Sequence, residues 1–171
     1  WQLLLDDLGL PYRFLGEDEL VRQLESLDAL ILPRCLALSD AAAERIRTFV
    51  AAGGLLLIDG EAGLVDEFGN GRAAGVFDAW FGIRRAARAW DLDVGDDASG
   101  AVGRVLGLRR LESGIVERTA GVARIGRGSA FYLDLRLADY LDLRIQDGDA
   151  GRAVAATAAE WFAAAGLTPV L

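Results

Sequence analysis

The chain of 171 residues contains no histidine, no lysine and no methionine, and its single cysteine is Cys35. Histidine is the commonest general base and metal ligand in proteins, so its absence excludes most proton-shuttle and metal chemistry near neutral pH. A single cysteine excludes an intrachain disulfide and leaves the redox compartment open. All 18 basic residues are therefore arginine. We predict no cofactor and no metal site.

The charge balance and the apolar residues limit the class of partner. The formal net charge of -8 argues against a nucleic-acid partner, because binding to phosphates depends on clustered cations. Apolar residues make up 53% of the chain, yet no apolar run approaches the ~18 residues of a membrane-spanning helix. We expect one globular domain over residues 1–171, with neither nucleic acid nor membrane as a partner.

Hydrophobic periodicity predicts alternating helices and strands along the chain. Helices are predicted over residues 1–9, 17–24, 40–52, 76–81 and 149–165. Strands are predicted over residues 12–15, 28–33, 55–59, 115–118, 122–125 and 129–134, the last two joined as a hairpin by a glycine-rich turn at 126–128. Residues 84–114 have mixed periodicity and are predicted only as short strands and loops.

The clearest unit is a strand, a helix and a second strand between residues 28 and 59. Ser39 is a good helix N-cap, glycines 53 and 54 end the helix, and both flanking apolar runs are typical of strands buried on two faces. A helical crossover of this length joins parallel strands. The order of elements predicts an α/β fold, a doubly wound, mostly parallel open sheet with helices on both faces and an antiparallel C-terminal edge. Because such a sheet normally opens with a strand, we expect the chain to be a fragment of a larger protein, with its first strand either upstream in the parent sequence or lost.

Several ordered segments resemble the trimerisation (middle) domain of family-42 β-galactosidases. They are Leu30-Ile-Leu-Pro33, Leu38-Ser-Asp, Ile46-Arg-Thr-Phe49-Val50-Ala-Ala-Gly-Gly54-Leu-Leu-Leu-Ile, Gly63-Leu-Val-Asp66-Glu67 and Ile125-Gly-Arg-Gly128-Ser-Ala-Phe-Tyr-Leu133. The resemblance covers about residues 28–82 and 122–135. It implies a class I glutamine-amidotransferase-like (flavodoxin-like) fold without catalysis, located beside a sugar-cleaving barrel and contributing to a homo-oligomer. The expected partners are therefore other copies of the chain or the catalytic barrel of a parent chain.

A working amidotransferase of this fold needs a nucleophilic cysteine on a sharp strand-to-helix turn and a histidine to accept its proton. The sequence at the expected turn is Asp59-Gly-Glu-Ala-Gly63, and Cys35 follows a different strand. A carboxylate cannot replace the thiolate in amide transfer. We predict no catalytic residues in the chain and interpret Cys35 as a small packing residue.

Polar residues follow the two central strands at their carboxyl ends, where open α/β sheets bind ligands. The candidate ligand-binding residues are Arg34, Asp59, Glu61, Asp66 and Glu67. Solvated loop carboxylates are the commoner explanation, but a small polar molecule such as a sugar, a bound cation or paired acid-base carboxylates remain alternatives. We also consider that Arg34 or Arg72 pairs with the carboxylates and stabilises the loop.

Three aromatic residues are candidates for an interface: Trp80, Phe81 and Trp90. We expect them to lie mostly in the core, whereas a broad exposed apolar patch here would mark a contact with another subunit. Arg84, Arg85 and Arg88 form a small basic group that could pair across a subunit contact, but we expect them to lie on an exposed face. The acidic residues between 91 and 97 do not have the spacing of a calcium-binding loop.

Overall fold

The structure, a computed structural model, describes residues 1–59, 62–85, 108–110, 116–118, 121–133 and 140–169. The chain divides into two compact units. One comprises Trp1–Phe14, Ala98–Ala120 and Leu133–Leu171, and the other comprises Leu15–Asp97 and Gly121–Tyr132. That these residues form one domain stays a prediction.

The described residues form six α-helices, one short 3-10 helix and six strands. The helices are α1 (Gln2–Asp7), α2 (Glu17–Gln23), the 3-10 helix (Leu24–Ser26), α3 (Asp40–Ala52), α4 (Asp78–Phe81), α5 (Tyr140–Gln146) and α6 (Gly148–Ala164). The strands are β1 (Ala29–Leu32), β2 (Leu55–Asp59), β3 (Leu108–Arg110), β4 (Val116–Arg118), β5 (Gly121–Ile125) and β6 (Gly128–Leu133). Within the described ranges, no helix is both long and apolar enough to cross a membrane.

The main sheet has the strand order β1-β2-β6-β5 and is mostly parallel. Strands β1 and β2 are parallel, with Ala29 opposite Leu55 and Leu32 opposite Ile58, and α3 connects them. Strands β5 and β6 are antiparallel, with Gly121 opposite Tyr132. The predicted βαβ unit, the predicted hairpin and the α/β class are confirmed. A separate antiparallel pair joins β3 to β4.

Helix α3 begins and ends where its sequence predicts. The Ser39 hydroxyl oxygen accepts the backbone N–H of Ala42 at 3.0 Å, which satisfies one of the free donors of the first turn. The apolar face of the helix is buried and packs in one hydrophobic cluster with Leu30, Leu56 and Ile58 of the sheet. Its buried residues are Ala42, Ala43, Ile46, Phe49 and Val50.

Two local predictions differ from the structure. The strand predicted over residues 12–15 is wrong, because this segment pairs with no strand among the described residues and Phe14 is 77% exposed. The rings of Tyr12 and Phe14 instead meet edge-on, with their centroids 5.8 Å apart. Helix α5 was not predicted, because its seven residues are too few to show a periodicity and Leu141 and Ile145 are exposed.

The hairpin turn between β5 and β6 packs closely against the end of α3. The backbone N–H of Arg127 donates to the Ala51 carbonyl at 3.0 Å, and that of Ser129 donates to the Gly54 carbonyl at 3.3 Å. A Cβ on Gly128 would lie 2.1 Å from the Val50 carbonyl oxygen. Only glycine fits this approach, since the obstructing atoms are backbone and cannot rotate away.

In the other unit, polar side chains connect α1 to α5. The hydroxyl of Tyr140, which is 3% exposed, donates to Asp7 Oδ2 at 2.8 Å, and Arg144 lies 3.0 Å from Asp7 Oδ1. Burial, together with the hydrogen bond and the charge of Asp7, raises the pKa of Tyr140 to about 12. The phenol therefore stays neutral in the folded chain at pH values where an exposed tyrosine ionises.

The close approach of the hairpin predicts that Gly128→Ala destabilises the chain. We expect the free energy of unfolding to fall by about 3 kcal/mol, because the methyl group forces backbone atoms apart. Urea unfolding followed by circular dichroism measures the change. Gly148→Ala is the control, since Gly148 is exposed at the start of α6 and a Cβ there would lie 3.5 Å from the Arg152 side chain. A Gly128→Ala chain as stable as this control would contradict the packing described.

The raised pKa of Tyr140 predicts a loss of stability in alkali. The unfolded phenol ionises near pH 10 and the folded one near 12, so its contribution is complete below pH 10 and is lost as the pH rises to 12. After allowance for solvent screening, we expect this loss to be about 1–2 kcal/mol. Urea unfolding across this pH range should show it in the wild type and not in Tyr140→Phe. If the free energy of unfolding falls equally with pH in the two proteins, the loss does not come from Tyr140.

Candidate functional site

The loops that follow β1 and β2 run side by side beyond the ends of the strands. The backbone N–H of Gly63 donates to the Cys35 carbonyl at 2.8 Å, and that of Val65 donates to the Leu36 carbonyl at 3.1 Å. Ala37 and Val65 form a parallel bridge. These bonds continue the pairing of β1 with β2, so the two loops are held at the carboxyl edge of the sheet, where the candidate residues were predicted.

The five candidate ligand-binding residues are differently placed. Arg34 is exposed on the first loop and Asp59 is the last residue of β2, with its side chain outside the described part of the chain. Glu61 lies outside the described residues, while Asp66 and Glu67 lie on the second loop. The structure therefore describes the side chains of Arg34, Asp66 and Glu67.

Asp66 organises its own loop through hydrogen bonds. Its Oδ1 accepts the backbone N–H groups of Phe68 at 2.9 Å and Asn70 at 2.8 Å, and its Oδ2 accepts the Asn70 side-chain amide at 2.9 Å. The Asn70 amide, followed by its backbone N–H, holds the pKa of Asp66 below its ordinary value, with smaller effects from the Phe68 N–H and the charge of Arg72. The carboxylate is therefore ionised at neutral pH and occupied by local donors.

Arg72 stabilises the loop mainly through other partners. Its Nη1 lies 2.7 Å from Asp40 Oδ1, its Nη2 donates to the Leu38 carbonyl at 2.9 Å, and its backbone N–H donates to the Leu64 carbonyl at 2.8 Å. Arg72 therefore joins the second loop to the first loop and to the start of α3. Its positive charge adds a longer-range attraction to Asp66.

Three neighbouring side chains are exposed rather than enclosed. Phe68 is 82% exposed at the tip of the loop that Asp66 holds, and Glu67 beside it is also exposed. Arg34 is exposed and has a backbone φ of 44°, in the left-handed region that residues other than glycine seldom adopt.

The Cys35 thiol has the environment of a packing residue. It is half-buried against the hydrophobic cluster, and its Sγ lies 3.5 Å from the Ala37 carbonyl oxygen, which accepts its weak hydrogen bond. It lies in the loop after β1, and the sequence has no histidine that could accept its proton. This arrangement provides no activated thiolate.

An ion pair that the sequence did not reveal is buried between Asp78 and Arg85. Asp78 is 2% exposed; its Oδ1 accepts Arg85 Nε at 2.6 Å, and its Oδ2 accepts the backbone N–H of Gly75 at 2.9 Å and that of Arg85. The guanidinium also lies 5.0 Å from the centre of the Tyr132 ring. The expectation of an exposed face is wrong for Arg85, which is 11% exposed in this pair. Arg88 lies outside the described residues.

The candidate interface residues on α4 are half-buried. Trp80 and Phe81 pack against the hydrophobic cluster. The ring centroids of Trp80 and Phe77 are 5.1 Å apart, and those of Phe81 and Tyr132 are 5.7 Å apart. Trp90 lies outside the described residues, as do the acidic residues at 91–97.

The bonds of Asp66 predict a graded loss of stability on substitution. Asp66→Asn keeps the acceptor for two backbone N–H groups but places an amide against the Asn70 amide, whereas Asp66→Ala removes every acceptor. We expect the melting temperature to be highest for the wild type, lower for Asp66→Asn and lowest for Asp66→Ala. Differential scanning calorimetry measures it, with Glu67→Ala as the neighbouring carboxylate control. If Asp66→Ala has the same melting temperature as Glu67→Ala, the stability of the loop does not depend on Asp66.

The sequence matches no family model and no curated protein. The fold, however, is similar to that of solved β-galactosidases. For the GH42 β-galactosidase Gan42B the TM-score is 0.66 at 16% identity, over 99% of this chain and 26% of that one. A catalytic mutant of Gan42B from G. stearothermophilus gives a TM-score of 0.65 at the same coverage.

Two further β-galactosidases share the fold. The enzyme from Bacillus circulans sp. alkalophilus gives a TM-score of 0.61 at 15% identity, over 98% of this chain and 26% of that one. The cold-adapted enzyme from Rahnella sp. R3 gives 0.54 at 19% identity, over 76% of this chain and 23% of that one. The chain thus has the fold of a part that makes up about a quarter of these larger enzymes.

Proposed function

We propose that the chain is a non-catalytic accessory and oligomerisation domain of a β-galactosidase-like glycoside hydrolase, with a class I glutamine-amidotransferase-like (flavodoxin-like) fold. The observation that carries this proposal is the coverage of the structural match. It extends over 99% of this chain but only 26% of a GH42 β-galactosidase, as expected when one domain is compared with a multidomain enzyme. The chemistry of the parent protein then lies in another domain.

Three of the described polar side chains support a non-catalytic role. Cys35 has no histidine to activate it, and Asp66 already accepts three hydrogen bonds within its own loop. A catalytic carboxylate or nucleophile must instead be free to reach a substrate. The carboxylate of Asp78 is likewise occupied, because it is buried in an ion pair with Arg85.

A second candidate function, binding of a sugar-like molecule, has one observation in its favour. Phe68 is 82% exposed on a loop held by Asp66, beside the exposed Glu67 and at the carboxyl edge of the sheet. An exposed aromatic face offers an apolar surface to a ligand, and a carboxylate beside it can accept hydrogen bonds from hydroxyl groups.

The oligomerisation role predicts reversible self-association of the purified chain. We expect multi-angle light scattering to give a mass that rises with concentration from that of the monomer to a whole multiple of it. A chain that stays monomeric over the micromolar to millimolar range would contradict the role.

The purified chain also distinguishes the accessory role from sugar binding and from catalysis. A melting temperature that rises with galactose, and does not rise in Phe68→Ala, would support sugar binding instead. Release of ammonia from glutamine would refute the non-catalytic role.

A further inference from the structure

The chain reverses direction at the end of α1. Gly9 has a φ of 63°, in the left-handed region, and the backbone N–H of Leu10 donates to the Leu5 carbonyl at 3.0 Å. A hydrogen bond across a left-handed glycine is a common end of a helix. Leu10 is buried and anchors the turn. The residues that follow are thereby brought back to α1, where Tyr12 interacts with the helix.

Gln2 and Asp6 meet the returning segment at Tyr12. They are four residues apart on α1 and share one side of the helix, where both are exposed. Partial desolvation is the largest effect that raises the pKa of Tyr12, followed by its hydrogen bond to Asp6 and the charge of that carboxylate, whereas a hydrogen bond with Gln2 lowers it. The carboxylate accepts the phenol O–H, and the amide that lowers the pKa donates to the phenol oxygen.

The rings of Tyr12 and Phe14 form the apolar part of the same surface. Their planes meet at 81°, so the edge of one ring lies against the face of the other. Phe14 is 77% exposed and Tyr12 is 37% exposed. An edge-on contact covers one face of one ring only, so other ring faces of the pair are available to a ligand.

An apolar ring face with a carboxylate and an amide beside it suits a neutral saccharide. The C–H bonds on one face of a sugar ring pack against an aromatic ring, and its hydroxyl groups bond to carboxylate and amide groups. Asp6 and Gln2 can take such bonds in addition to those with Tyr12, because a carboxylate accepts several hydrogen bonds and an amide both donates and accepts.

Other classes of ligand fit this surface less well. A wholly apolar ligand would cover Asp6 and Gln2 without replacing their hydrogen bonds to water. An anion would meet the carboxylate of Asp6 in a chain whose formal net charge is -8. An organic cation is attracted by rings and by a carboxylate, but Arg13, exposed between the two aromatic residues, already brings a positive charge to this segment.

The Tyr12–Phe14 surface consists of the side chains of Gln2, Asp6, Tyr12 and Phe14. We propose that this surface binds a saccharide, with a sugar ring against the exposed aromatic face and its hydroxyl groups on the carboxylate and the amide. All four residues lie within Trp1–Phe14 of one compact unit, whereas Phe68 belongs to the other unit. The choice of a galactoside as the probe rests on the proposed function, but the site itself rests only on these side chains.

An NMR titration of the isotope-labelled chain with methyl β-galactoside tests the proposal. We expect the amide signals of residues 2–14 to shift with a dissociation constant on the order of millimolar, because an open surface buries little of a small ligand. Phe14→Ala removes the stacking face and Asp6→Ala removes the acceptor, so each should weaken binding about tenfold. Phe68→Ala is the matched control, since it removes another exposed phenylalanine, and it should leave the affinity unchanged.

Two further measurements make the titration interpretable. Circular dichroism and the melting temperature show that the variants fold, which we expect because Asp6, Phe14 and Phe68 are all exposed. Choline serves as a cationic probe of the same rings. The shifts caused by the galactoside should be independent of salt, since the sugar is neutral, whereas binding of choline beside a carboxylate would weaken as salt is added.

The outcomes distinguish this site from the alternatives. Signals of residues 2–14 that stay unchanged at roughly a hundredfold excess over a millimolar dissociation constant would overturn the proposal. Shifts that persist in Phe14→Ala but disappear in Phe68→Ala would place the sugar on the loop after β2 and would also overturn it. Shifts with choline alone would show that the ligand is a cation, with the same consequence.

Self-association is measured separately from sugar binding. A chain that stays monomeric in light scattering but binds the galactoside in a manner that depends on Phe14 would contradict the oligomerisation role and support this site. A chain that self-associates and binds no sugar at residues 2–14 would support the oligomerisation role and overturn this site.

Discussion

The contact between the β5–β6 turn and the end of α3 determines how the main sheet is assembled. Backbone bonds from Arg127 to Ala51 and from Ser129 to Gly54 hold the hairpin beside β2, and Gly128 allows this distance because it has no Cβ. Since backbone atoms make the contact, no rotamer change can relieve a larger residue. The position of the β5–β6 hairpin beside β2 follows from this contact.

A second constraint acts at the carboxyl ends of the strands. The loops after β1 and β2 pair through backbone bonds. Asp66 bonds within its own loop, and Arg72 bonds to both loops and to Asp40 at the start of α3. Hydrogen bonds that satisfy a loop internally lower its cost of ordering but leave fewer donors and acceptors for a ligand. Phe68 lies in the same loop, where its backbone N–H bonds to Asp66 while its side chain is 82% exposed.

Local signals in the sequence predicted much of this fold. Ser39 and the following glycines bounded α3, and the apolar runs at β1 and β2 identified a parallel pair, since these features depend on neighbouring residues. The Asp78–Arg85 pair could not be predicted in this way. Its burial requires the ring of Tyr132, which lies about fifty residues away in the sequence on β6. The partners of Asp66 were missed for a related reason, because the sequence indicates a turn at Asn70 but not which carboxylate its amide contacts.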